Sequence, residues 1–140
     1  MKKYVVTGTD YDMGYQIGKI FKEYLQNAIK KYDEKILNKN VHSKVKKLEV
    51  KLKNESFNCL QEIYGRADEA EVSRDSLLLM FFPEIYKRID GCTTLILKKQ
   101  NDKFLFSHNE DEKQYTSENT ALIKYDYGQY WIVGYTMAEN

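Results

Sequence analysis

The segment Asp90-Gly91-Cys92-Thr93-Thr94-Leu95-Ile96-Leu97 (residues 90–97) marks the boundary between two halves of the chain, because the spacing of apolar residues changes within it. Upstream, apolar side chains recur every three or four positions, which is typical of amphipathic helices. Downstream the period changes to two, which is typical of strands. The sequence therefore predicts helices first and antiparallel strands afterwards, an α+β fold.

Three helical segments are predicted upstream of this boundary. The first covers residues 10–37, with Asp10 as a candidate N-cap, and the second covers residues 41–64. The third follows Ser73, another candidate cap, and Pro83 stops or bends it. The helical half of the chain therefore ends shortly before residue 90.

Gly14 and Gly18 lie four residues apart in the first predicted helix. Each glycine lowers helix stability, and the simplest compensation is close packing against a neighbouring element. A phosphate-binding loop is not favoured, because no Lys-Ser/Thr pair follows. Gly65 is expected to weaken the second helix.

Two β-hairpins are predicted downstream of the boundary. Four strands are predicted, and they pair in chain order: residues 93–97 with 104–106, and residues 121–125 with 130–135. The polar residues between the hairpins form a connection.

The composition is that of one folded domain. The chain has 140 residues, of which 42% are hydrophobic and 31% charged, so it can bury a core. A net charge of +1 does not favour a nucleic-acid partner, and no run of 18 apolar residues suggests a membrane helix. With two cysteines and no signal peptide, we expect a cytoplasmic protein.

Cys92 is the strongest candidate nucleophile. A thiol is intrinsically nucleophilic, and the preceding Gly91 leaves its own carbonyl sterically open to attack. The alternative is a small buried side chain at the start of a strand. Cys59 lies on the apolar face of a predicted helix, where a structural role is expected.

The segment His108-Asn109-Glu110-Asp111-Glu112 is the second candidate site. It follows a predicted strand, where functional groups are often held, although a polar turn with a helix cap would explain it too. A metal site is a poor explanation, because the ligand spacing is not recognisable. In an antiparallel hairpin, Cys92 at the start of one strand would lie near His108–Asp111 at the end of the other.

Four motifs together resemble a known family, the acyl-coenzyme A:6-aminopenicillanic acid acyltransferase-like proteins. These are N-terminal-nucleophile hydrolases related to choloylglycine hydrolase and penicillin V acylase. The motifs, in the order of the family, are Thr7-Gly8-Thr9-Asp10-Tyr11-Asp12-Met13-Gly14-Tyr15-Gln16-Ile17-Gly18, Ile63-Tyr64-Gly65-Arg66-Ala67, Gly91-Cys92-Thr93-Thr94 and Ser107-His108-Asn109-Glu110-Asp111.

The resemblance implies a four-layer αββα sandwich and a precursor that cuts itself between Gly91 and Cys92. Residues 1–91 would be a helical pro-region, and residues 92–140 would begin the catalytic β segment. Because the later asparagine and arginine of the family have no counterpart here, we expect the 140 residues to be the N-terminal portion of a longer member.

The resemblance also implies an activity, a cysteine amidohydrolase or acyltransferase acting on linear N-acyl or small-peptide amides. Cys92 would be the nucleophile, Asp111 would orient it, and Asn109 would shape the site. His108 and Glu110 would contact the small-molecule substrate. No cofactor or metal is implied, and a coenzyme A thioester would enter only as an acyl donor.

Two alternatives stay open. One is a truncated, inactive remnant of this fold that serves as a binding or interaction module. The other is a plain α+β structural domain in which Cys92 is a core residue. The oligomeric state is also open, and a homo-oligomer is compatible with the residues.

Overall fold

The structure is a computed structural model, and it describes residues 2–82, 85, 93–98, 104–109 and 120–137. At residues 93–98, 104–109, 120 and 135–137 it describes the backbone alone. Within these ranges the elements are, in chain order, β1 (Lys2–Thr7), α1 (Asp10–Ile20), α2 (Lys22–Ala28), α3 (Lys30–Ile36), α4 (Lys39–Glu55), α5 (Phe57–Ala70), α6 (Arg74–Phe81), β2 (Thr93–Lys98), β3 (Phe104–Asn109), β4 (Thr120–Asp126) and β5 (Trp131–Met137). The predicted α+β class is confirmed.

The described strands form two sheets. One contains β2 and β3 as an antiparallel pair, and the other has the order β1-β4-β5. In the second sheet β4 pairs in parallel with β1 and antiparallel with β5. Both predicted hairpins, β2–β3 and β4–β5, are therefore confirmed.

The prediction that helices come first is wrong at the N-terminus, where β1 precedes them. Its partner is β4, with Lys2 opposite Ala121 and Thr7 opposite Asp126. The sequence of β1, Lys2–Thr7, does not alternate between apolar and polar residues, and such alternation is what indicates a strand. In the structure, Val6 is the one fully buried residue of this strand. The strand forms because a distant segment supplies its hydrogen-bonding partner.

The first predicted helix is divided into α1, α2 and α3. The backbone leaves helical geometry at Phe21, with φ −111° and ψ 21°, and α2 ends before Ile29. The apolar stripe continues across both junctions, which is why its periodicity alone did not show them. The second predicted helix is likewise divided at Ser56, where φ is −150°, into α4 and α5.

Thr9, rather than the predicted Asp10, caps α1. The Thr9 hydroxyl oxygen accepts a hydrogen bond from the Asp12 backbone N–H at 3.2 Å, and the Asp12 carboxylate accepts one from the Thr9 N–H at 3.0 Å. This reciprocal capping box places Asp10 inside the first turn. Ser73 caps α6 as predicted, since its hydroxyl oxygen accepts from the Ser76 N–H at 3.2 Å.

Helices α1 and α5 pack with their backbones in contact, as predicted for Gly14 and Gly18. A methyl carbon on Gly18 would lie 2.6 Å from the carbonyl oxygen of Arg66, and one on Gly14 would come closer still to that of Glu62. Gly65 on α5 has the same role, because a methyl carbon there would collide with the carbonyl oxygen of Tyr11. Gly65 therefore makes the contact possible as well as weakening the helix.

Two buried clusters surround this contact. The larger lies among the helices and includes Leu60 and Ile63 of α5 and Leu77, Leu78 and Leu79 of α6. The smaller joins β1 and β4 to α1 through Val6, Met13, Ile17 and Ile123.

Among the described residues, no helix combines the length and the apolar character needed to cross a membrane.

We expect Gly65→Ala to lower the free energy of unfolding. In an exposed helix this substitution would stabilise by about 1 kcal/mol. At Gly65 the added methyl group meets backbone atoms of Tyr11 and Tyr15, and overpacking of this kind costs about 1–3 kcal/mol. Urea denaturation followed by circular dichroism measures the difference.

Ser43→Ala, at an exposed position of α4, is the control and should leave stability nearly unchanged. A Gly65→Ala protein as stable as the wild type would contradict the proposed backbone contact.

Candidate functional site

The open end of the β2–β3 hairpin brings together the two candidate motifs. Thr93 pairs with Asn109 and Thr94 pairs with His108. The start of β2 and the end of β3 are therefore neighbours, as the sequence predicts for this antiparallel pair. The ladder continues further than predicted, so His108 and Asn109 lie inside β3 and not in the connection after it.

The predicted site residues differ in how the structure covers them. His108 and Asn109 are the last two residues of β3 and are described by their backbone alone. Gly91, Cys92, Glu110 and Asp111 lie outside the described residues. The pairing of the flanking strands is thus observed, whereas the contact between Cys92 and Asp111 stays a prediction.

A polar cluster joins α5 to β4. Arg66 Nη2 donates hydrogen bonds to Glu62 on the same helix and, at 3.1 Å, to the hydroxyl of Tyr125. The Tyr125 hydroxyl donates in turn to Glu62 Oε1 at 3.2 Å. The Arg66 guanidinium also lies 5.3 Å from the ring centroid of Phe81.

Burial raises the pKa of Tyr125 to about 12, with the Glu62 carboxylate adding to the shift and Arg66 opposing it. The phenol is therefore neutral at physiological pH and acts as a hydrogen-bond donor to Glu62. The Arg66 Nε is buried, and the described residues offer it no hydrogen-bond partner. The arrangement attaches the helical half of the chain to the β1-β4-β5 sheet.

A second tyrosine connects the sheet to the start of α1. The hydroxyl of Tyr127 donates to Asp10 Oδ1 at 3.0 Å, and burial together with this bond raises its pKa to about 12. Tyr127 reaches Asp10 because β1 and β4 run parallel and end side by side, with Thr7 opposite Asp126. Asp10 therefore anchors the β4–β5 turn and does not cap the helix.

Asp68 is the centre of a group of contacts that the sequence did not predict. Its carboxylate accepts hydrogen bonds from Tyr11 at 2.7 Å and from Arg74 at 2.8 and 2.6 Å. The bonds from Arg74 hold the pKa of Asp68 below its usual value. No local signal marks these partners, because they come from α1 and from the start of α6.

Cys59 is exposed, although its place in the helical pattern suggested the apolar face. The neighbouring Leu60 and Ile63 face the core instead. Partial desolvation, with a contribution from Glu62, raises the pKa of the Cys59 thiol. A raised pKa reduces the thiolate fraction, so this side chain is poorly suited to be a nucleophile.

His42 lies on the surface of α4, with Nε2 3.0 Å from Asp75 Oδ2. Among the residues that the structure describes, no three His, Cys, Asp or Glu side chains form a metal-binding group.

Comparison with known proteins leaves the family open: no family model matches the chain, and no curated protein is similar to it. The resemblance described above therefore depends on the four motifs and their order alone.

We expect Tyr125→Phe to destabilise the protein by about 1–3 kcal/mol. The substitution keeps the ring but removes hydrogen bonds to Glu62 and Arg66, two groups that are largely buried, and such bonds have this magnitude. Urea denaturation measures the effect.

Tyr130→Phe is the matched control, because the Tyr130 side chain is exposed on the β4–β5 turn. Equal effects of the two substitutions would show that the hydrogen bonds of the Tyr125 hydroxyl contribute nothing to stability.

Proposed function

We propose that this protein is a self-processing cysteine amidohydrolase or acyltransferase that acts on linear amides. The single observation that supports this most directly is the pairing of Thr93 with Asn109. One peptide link separates Cys92 from Thr93, and two separate Asp111 from Asn109, so chain connectivity keeps the proposed nucleophile and the proposed orienting carboxylate close to one strand end.

The proposed processing step uses groups of the chain and one water molecule. The Cys92 thiol attacks the carbonyl carbon of Gly91, the C–N bond breaks, and a thioester forms while the nitrogen becomes the α-amino group of Cys92. Water then hydrolyses the thioester, which leaves a carboxylate on Gly91 and a free thiol on Cys92. The new α-amino group has an ordinary pKa of about 8, so it can accept the thiol proton near neutral pH.

The same sulfur would then act on a substrate amide. The thiolate attacks the acyl carbon, the amine leaves with the proton held by the α-amino group, and a thioester joins the acyl group to Cys92. Water or an acceptor amine releases the acyl group. In this proposal Asp111 orients the amine and thiol, Asn109 shapes the site, and His108 and Glu110 contact the substrate.

We also propose that the fold is part of an N-terminal-nucleophile αββα sandwich. On one face of the β1-β4-β5 sheet, Val6 and Ile123 pack against α1. On the other face the register aligns Val5 with Val133 through Lys124, and these two valines are 61% and 50% exposed. One face covered by a helix and one face with exposed valines are what a single αβ half of such a sandwich would present.

The division into residues 1–91 and 92–140 fits this proposal. The β1–β4 pairing, the Tyr127–Asp10 bond and the Tyr125 cluster all join a residue before Gly91 to a residue after Cys92. Breaking the Gly91–Cys92 peptide bond would therefore leave the two segments held together by these contacts.

Purified wild-type protein should yield two masses, those of residues 1–91 and 92–140. The Cys92→Ala protein should retain one intact mass, because it lacks the attacking sulfur. Intact-mass spectrometry distinguishes the two results, and Cys59→Ala is the matched control that should still be cleaved. An uncleaved wild-type chain, or cleavage in the Cys92→Ala protein, would contradict self-processing and favour the alternative of an inactive binding module.

The two segments of the processed protein should elute together in native size-exclusion chromatography and separate in denaturant. Val6→Asp should release the N-terminal segment, because Val6 is fully buried between the sheet and α1. Val5→Asp is the matched control on the opposite, exposed face of the same strand. Separate elution of the wild-type segments would show that the contacts across residue 91 do not hold them.

Iodoacetamide near neutral pH should alkylate Cys92 faster than Cys59. The raised pKa of the Cys59 thiol keeps it protonated, whereas an α-amino group beside Cys92 would favour its thiolate. Peptide mapping over time gives the two rates separately. Equal and slow labelling of both cysteines would argue against an activated thiol at position 92.

A further inference from the structure

We draw no further inference here: the strongest candidate, the face of the β1-β4-β5 sheet that carries the exposed side chains of Val5, Trp131 and Val133, is a partly apolar surface, and nothing in the part of the chain that the structure describes shows what covers it.

Discussion

The backbone contact between α1 and α5 sets the positions of the sheet and of the polar cluster that joins it to the helices. Gly14, Gly18 and Gly65 remove the side chains that would otherwise separate the two helices. With the helices this close, α1 covers one face of the sheet while Arg66 and Glu62 of α5 reach the hydroxyl of Tyr125. Side chains at the three glycine positions would separate the two helices. The β1-β4-β5 sheet and the polar cluster that joins α5 to β4 would then be displaced.

The sheet joins the two ends of the chain. The first strand, Lys2–Thr7, pairs with Thr120–Asp126, and the turn after β4 is attached to the start of α1 through Tyr127 and Asp10. These contacts span the bond between Gly91 and Cys92. Under the proposed function, cleavage of this peptide bond would create a new N-terminus without unfolding the protein, because the two segments share one core and one sheet.

The candidate site was predictable only in part. The alternation of residues 93–97 and 104–106 predicts an antiparallel hairpin, and that hairpin brings the end of β3 beside the start of β2. The Arg66–Tyr125 contact, which lies outside this site, was not predictable, because 59 positions separate the two residues in the chain and each has an ordinary place in its own helix or strand. Local spacing carries no information about which distant side chain becomes a partner.

Residue types and their local spacing were enough to predict three features: the period of each segment, the cap at Ser73 and the glycine spacing that requires a close neighbour. Three other features became clear only from the folded chain: β1 is a strand, Thr9 rather than Asp10 caps α1, and Gly65 is a contact point. The physical reason is that periods and caps depend on neighbours within a few residues. Sheet partners and helix contacts are instead selected by packing between segments that lie far apart in the chain.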